Sequence, residues 1–264
     1  MYELELKAVL KAVKDAEKVI KEIYATNFEV EIKSDNSPVT LADKKSDELI
    51  RKELGNAFPN IGFLTEESID TKERLSQEDI WIVDPVDGTK EFVSRNGEFC
   101  TNVALCHNHE IVLGVINVPI LEETFYAIKG QGAYKLDKDG NITRIHVSRT
   151  NPPLKAVRSI SFFNDKEATF YHKNKALFEG DIKPLGSALK FCRIAEGKAD
   201  FFLRLSSGTK EWDVAAGDLI LSEAGGVMVE PNGQKMRYNR IDVYNRNGYV
   251  LANKKENLFL DKLN

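Results

Sequence analysis

The run Trp81-Ile82-Val83-Asp84-Pro85-Val86-Asp87-Gly88-Thr89 constrains this chain more than any other stretch. Its apolar, partly β-branched opening suits a buried strand. Two carboxylates, a proline, a glycine and a hydroxyl follow at once, a composition that breaks strand and helix alike and favours a turn. A strand over Ile80 to Val83, ending at Asp84, would present hard oxygen donors at its end and free backbone N–H groups just beyond. That combination suits Mg²⁺ beside a phosphate.

Other segments bring further carboxylates to strand ends. Ile61 to Thr65 is a short apolar run consistent with a strand, and it delivers Glu66 and Glu67. Two strands that finish in acids can converge them on one edge of a sheet. Apolar residues at three- and four-residue steps predict an amphipathic helix over 3–25. Ser37-Pro38-Val39-Thr40 punctuates the chain, and Thr40 can cap a helix from Leu41 to Ala57 with Asp43 in its first turn. Phe99 to Cys106, Ile111 to Val118, Thr124 to Ile128 and Gly132 to Leu136 read as strands of a largely antiparallel sheet. His107-Asn108-His109 reads as a hairpin connection with solvated histidines rather than a metal site. Ser187 to Glu196 predicts a helix, Ala199 to Leu203 a strand, Trp212 to Ala224 a helix stopped by Gly225-Gly226, and Val227 to Val229 a strand. The pattern is an α/β chain of layered helices and sheets, alternating in layers. At 264 residues, length alone allows one large domain or two small ones.

Composition narrows the function. With 42% hydrophobic and 30% charged residues, the chain belongs with folded globular proteins. A net charge of -4 advertises no basic face for a nucleic-acid polymer, so any nucleotide is expected as a small substrate. The longest apolar segment, Ile111 to Leu121, is far short of the ~20 residues that span a bilayer. The N-terminus lacks a secretory pattern, which predicts a cytoplasmic protein, at most peripheral at the inner membrane. Cys100, Cys106 and Cys192 lack CxxC spacing and are expected as buried reduced thiols.

Singly, each carboxylate has an ordinary explanation as a cap, a turn residue or a surface charge. Together, Glu66-Glu67, Asp84-Pro85-Val86-Asp87-Gly88-Thr89 and Trp212-Asp213-Val214-Ala215-Ala216, followed by Glu223-Ala224-Gly225-Gly226, resemble the signatures of the inositol monophosphatase superfamily. The resemblance implies that superfamily's sugar-phosphatase fold, with subdomains over 1–150 and 151–264. It also implies two or three Mg²⁺ ions: one held by Glu66, Asp84 and the Val86 carbonyl, a second by Asp84, Asp87 and Asp213, with Asp84 bridging. Gly88 and Thr89, with Lys90, would offer N–H groups to the phosphate. Glu67 would orient water or neighbours, or simply lie at the surface. The resemblance further places Asp43 against Thr89, where it would accept a proton from the attacking water, with an ordinary first-turn helix carboxylate as the lesser alternative for Asp43 and Asp47 as a competitor for the role. Inhibition by Li⁺ and a monomeric or homodimeric state are part of the same implication.

Residues outside the metal motifs must select the ester. Gly186 to Asp200 with Arg204 looks like the corresponding block of 3′(2′),5′-bisphosphate nucleotidases of the CysQ type. A substrate with two phosphates needs cations for the group that is not hydrolysed, and Lys190 and Arg204 could supply them with Ser187 as a donor. Taken alone, each cation also reads as a solvated charge. The expected reaction is removal of the 3′-phosphate of adenosine 3′,5′-bisphosphate, a step in sulfur metabolism, with inositol phosphates or fructose 1,6-bisphosphate as the alternative. Arg158 to Phe163 resembles the family's Ser-Arg-Ser-His segment only weakly and lacks its histidine.

Overall fold

The computed structural model describes residues 2–33 and 38–263, so Ser37 lies outside the described residues. Helix α1 (Glu3–Tyr24) leads to an antiparallel ribbon of β1 (Val30–Ile32) and β2 (Pro38–Thr40), then to α2 (Leu41–Ala57). Val9, Ala12, Val13, Ala16 and Ile20 of α1 are buried at helical spacing, which fixes the face it turns inward. Thr40 Oγ1 accepts from Ala42 N at 3.2 Å, and Asp43 Oδ2 accepts from Thr40 N at 2.8 Å, so α2 begins with a reciprocal cap.

Next in the chain come β3 (Gly62–Thr65), β4 (Asp79–Asp87), the short helix α3 (Thr89–Val93), β5 (Cys100–His107), β6 (Glu110–Val118), β7 (Glu123–Ile128), β8 (Ala133–Leu136) and β9 (Ile142–Ile145). Strands β3 to β9 form one seven-stranded sheet in sequence order, parallel between β3 and β4 and antiparallel elsewhere. The second half contributes β10 (Ala156–Ser159), α4 (Asp165–Lys173), β11 (Lys183–Leu185), α5 (Leu189–Ala195), β12 (Phe201–Arg204), α6 (Glu211–Glu223), β13 (Val227–Val229) and β14 (Tyr249–Ala252). These strands make a mixed five-stranded sheet in the order β11-β10-β12-β14-β13.

Alternation along the strands sorts the layers. Trp81, Val83, Val103 and Leu105 pack with α1 and α2 on one face of the large sheet. Ile80, Ile82, Ala104 and Ile116 join the opposite cluster, which also takes in α5, α6 and the inner face of the small sheet. Both faces of β4, β5 and β6 are therefore covered, which explains their nearly unbroken apolar sequences. Helix α4 covers the outer face of the small sheet, with Phe170 stacked 5.9 Å from Phe201. Among the described residues no helix is long and apolar enough to cross a membrane.

Several expectations need correction. Strand β4 does not stop at Asp84 but continues to Asp87, with a register shift against β5 between those residues. Pro85 has no N–H to give to a ladder, so the irregularity falls where a ladder bond is lost anyway. Helix α5 starts at Leu189 rather than Ser187, because Ser187 holds a left-handed φ of 40°. The hairpin with solvent-facing histidines is found as expected, His107 Nδ1 lying 2.8 Å from Asp79 Oδ1 and His109 Nδ1 2.7 Å from the Tyr238 carbonyl. Strands β9, β10, β11 and β14 and helix α4 have no counterpart in the sequence reading. The three cysteines are buried and unpaired, as expected.

Candidate active site

The parallel pairing of β3 with β4 sets Thr65 opposite Val83, so Glu66, just past the end of β3, comes beside Asp84 of β4. Glu66 N donates to the Val83 carbonyl at 3.2 Å and anchors that exit. Asp84 Oδ1 accepts from Val86 N at 3.1 Å, while its other oxygen is buried without a partner. Asp87 Oδ2 accepts from Ala188 N at 2.6 Å and from Asn102 Nδ2 at 3.1 Å. Asp213 arrives on the first turn of α6, its Oδ2 accepting from Lys210 N at 2.6 Å. One oxygen each of Asp84, Asp87 and Asp213 lies within 4.8 Å of the others.

Thr89 opens α3 immediately after Gly88, whose φ of 92° is the left-handed conformation that glycine adopts without strain. Thr89 Oγ1 lies 3.0 Å from Asp43 Oδ1 and 3.3 Å from the Val86 carbonyl. Asp43 thus caps α2 through one oxygen and meets Thr89 through the other. Asp47 instead accepts from Arg51 Nε at 2.7 Å and Ser68 Oγ at 3.0 Å. Lys33 Nζ pairs with Glu66 Oε1 at 3.1 Å and with Glu67 Oε1.

A cleft of about 430 Å³ contains the cluster. Of the residues singled out from sequence, Glu66, Asp84, Asp87, Gly88, Thr89, Ser187, Lys190, Arg204 and Asp213 line it; Asp43 and Val86 stand behind the wall. Lys190 is buried, with its ammonium donating to the Leu185 carbonyl at 3.3 Å and to the Ser187 carbonyl. Ser187 Oγ lies 2.9 Å from Cys100 Sγ. Arg204 is buried as well, its Nη1 donating to the Phe162 carbonyl at 3.0 Å and its Nε left without a partner. Sequence reasoning missed the side chains of Lys90, Phe162, Lys210 and Tyr244, all of which face the cleft. A helix-start lysine beside the phosphate motif was the one available signal for Lys90.

The electrostatics are those of buried carboxylates crowded together. Burial, then the charges of Glu66, Asp87 and Asp213, push the Asp84 carboxyl well above its ordinary range. Burial and Asp213 push Asp87 up to about 8, against Lys190, Asn102 and the Ala188 N–H. Burial and Glu66 raise Asp213 to about 6, and burial raises Glu67 to about 7. Crowded carboxylates with an unpartnered buried oxygen at the centre fit a hard divalent cation, which binds through oxygens and would offset both repulsion and desolvation.

The chain was also set beside known proteins. A family model described as "Inositol monophosphatase family" matches residues 2–262. The 3'(2'),5'-bisphosphate nucleotidase CysQ of Aggregatibacter actinomycetemcomitans is 33% identical over 251 residues, covering 94% of this chain and 92% of that protein. Its namesake in Salmonella typhimurium is 37% identical over 236 residues, covering 88% and 93%. The crystal structure of CysQ from Bacteroides thetaiotaomicron superposes with a TM-score of 0.84 at 34% identity, covering 97% of this chain and 99% of that one.

Proposed function

Because the chain belongs to the inositol monophosphatase family and is a metal-dependent phosphatase, we propose that it removes the 3′-phosphate of adenosine 3′,5′-bisphosphate, releasing AMP and phosphate. The observation that carries the reading is the cleft itself, where three clustered carboxylates, Thr89 with Asp43 bonded behind it, and Arg204 border one space. The relatives named as 3'(2'),5'-bisphosphate nucleotidases support the choice of ester.

On this reading, residues 1–150 supply Asp43, Glu66, Asp84, Asp87 and Thr89, and residues 151–264 supply Asp213 and most substrate contacts. Glu66, Asp84 and the Val86 carbonyl would hold one Mg²⁺, and Asp84, Asp87 and Asp213 a second. Bound there, Mg²⁺ would neutralise phosphate oxygens and make a neighbouring water more acidic. Asp43 does not reach the cleft, so it acts through Thr89: its carboxylate takes the hydroxyl proton's hydrogen bond and turns a Thr89 lone pair toward the water. Gly88 would let the scissile phosphate approach the backbone, and its lack of a Cβ also lets it pack on Ser187, whose Cβ a Gly88 Cβ would meet at 3.1 Å. Ser187 and Arg204 would orient the ester, and Lys190 fixes the Ser187 turn from behind.

The test is a panel of esters offered to the purified protein with Mg²⁺. Adenosine 3′,5′-bisphosphate is expected to give the largest kcat/KM. Faster release of phosphate from inositol 1-phosphate or fructose 1,6-bisphosphate would assign the site to a sugar phosphatase. Inhibition by Li⁺ belongs to the same proposal, and an unchanged rate in millimolar-scale Li⁺ counts against it.

A further inference from the structure

We propose that the ammonium of Lys90 and the guanidinium of Arg204, gathered at the ring of Phe162, form the seat for the substrate's second phosphate, with Phe162 as the positioning residue. The inference rests on the bisphosphate reading above and names the side chains that make the cleft select such an ester.

Lys190, the cation that sequence pairs with Arg204, is poorly placed for this task. Its ammonium is tied to two backbone carbonyls and stands beside Asp87, so its charge is already matched. Lys90 differs on each count. Its side chain is exposed and faces the cleft, its Nζ lies 4.2 Å from the Phe162 ring centroid, and among the described residues no carboxylate pairs with it. Arg204 reaches the same ring, with its Cζ 5.1 Å from the centroid. Only 5% of Arg204 is exposed, yet its Nε has no partner, and Glu167, whose carboxylate feels its charge, forms no ion pair with it.

Phe162 is 50% exposed, an unfavourable setting for a phenyl ring unless the ring has work at that surface. Its backbone is fastened on both sides. Phe162 N donates to Ser159 Oγ at 3.2 Å, its carbonyl takes Arg204 Nη1, and the neighbouring Ser161 Oγ donates to Glu91 Oε1 at 2.6 Å. The backbone that carries the ring is therefore held, and the ring's π-system attracts both cations, 4.2 and 5.1 Å from its centroid. Two like charges so arranged repel unless an anion lies between them. A phosphate dianion fits, because a guanidinium offers it paired N–H donors and an ammonium a mobile point charge. Lys90 follows Thr89 directly, so the seat lies one extended side chain from the scissile group, a span that a ribose between two phosphates also covers.

The experiment compares adenosine 3′,5′-bisphosphate with adenosine 3′-monophosphate, which share base and scissile ester and differ only in the second phosphate. The ratio of their kcat/KM values is expected to favour the bisphosphate in the wild type. Lys90→Met should lower that ratio about ten- to a hundredfold, the loss of one charge-assisted contact, mainly through KM. Lys90→Arg should keep most of it. Phe162→Leu should lower the ratio severalfold, and Phe162→Tyr should restore it. Calorimetric binding of AMP, which keeps the second phosphate and needs no turnover, should weaken in parallel. If the wild type prefers the bisphosphate but neither ratio nor AMP binding responds to Lys90→Met, the seat is overturned and the substrate reading stands. If AMP binding depends on Lys90 while the wild type shows no preference, the seat stands and the substrate reading falls.

Discussion

At the scale of single residues, the site is governed by which oxygens have partners and which do not. Asp84 keeps one oxygen bonded to Val86 N and the other bare in a crowd of acids. Asp84→Asn preserves the shape and removes a charge, so turnover should fall at least about a hundredfold. The same variant should melt no lower than wild type without divalent ions, because neutralisation relieves like-charge repulsion. A rate assay and a thermal melt of one preparation check both halves. Thr89→Val removes the hydroxyl between Asp43 and the cleft, and kcat should drop on the order of 10² to 10⁴-fold while Thr89→Ser retains most activity. The Asp43–Thr89 contact was legible only through the family resemblance, because two residues so far apart in sequence carry no local mark of their meeting. Phe162 and Tyr244 were not, since an isolated aromatic has no sequence mark that separates a core residue from a cleft wall.

At the scale of elements, the helix that brings Asp213 is held by close backbone approach. A Cβ on Gly114 of β6 would stand 2.7 Å from the Ala216 carbonyl oxygen and 3.1 Å from Ala216 Cα. Gly114→Ala must therefore push α6 off the sheet, at a cost of about 1–3 kcal/mol. Because Asp213 moves with the helix, divalent-ion affinity should weaken as well, which a metal titration alongside denaturant unfolding would reveal. Asp218 lies on the same helix, where burial raises its carboxyl to about 6 although Tyr238 OH donates to it at 2.7 Å. Its folded value stands above the ordinary 3.8, so the folded form binds the proton more tightly and stability falls as pH climbs from about 4 through about 6. Asp218→Asn should remove that pH dependence, on the order of 3 kcal/mol at most, measured by unfolding across that range. Helix α1 was readable because periodicity accumulates over many residues, α2 because Thr40 marks its start, and α6 because Gly225-Gly226 marks its end. The short helix α4 carried a readable start, Asn164 capped against Glu167 three residues on, but its nine residues offer little periodicity beyond it.

At the scale of the whole molecule, the cleft depends on both sheets, for Asp84 and Asp87 end a strand of the large one and Arg204 ends a strand of the small one. Chelating divalent ions should lower the melting temperature, and Mg²⁺ at about a hundred times its Kd should restore roughly 2.7 kcal/mol. Asp84→Asn should lose that gain, which a calorimetric scan with and without chelator would show. The layered character was visible in the alternation of apolar patterns. The mixed small sheet was not, because its register joins Ala156 to Phe201 and Phe201 to Ala252 across long stretches of chain, and pairing at such separation leaves no local trace. One outcome concerns synthesis. Until translation has passed Trp212-Asp213 and α6 has docked, a growing polypeptide owns only two of the three clustered acids, so on the proposed assignment a nascent or clipped chain should release no phosphate until the finished fold closes.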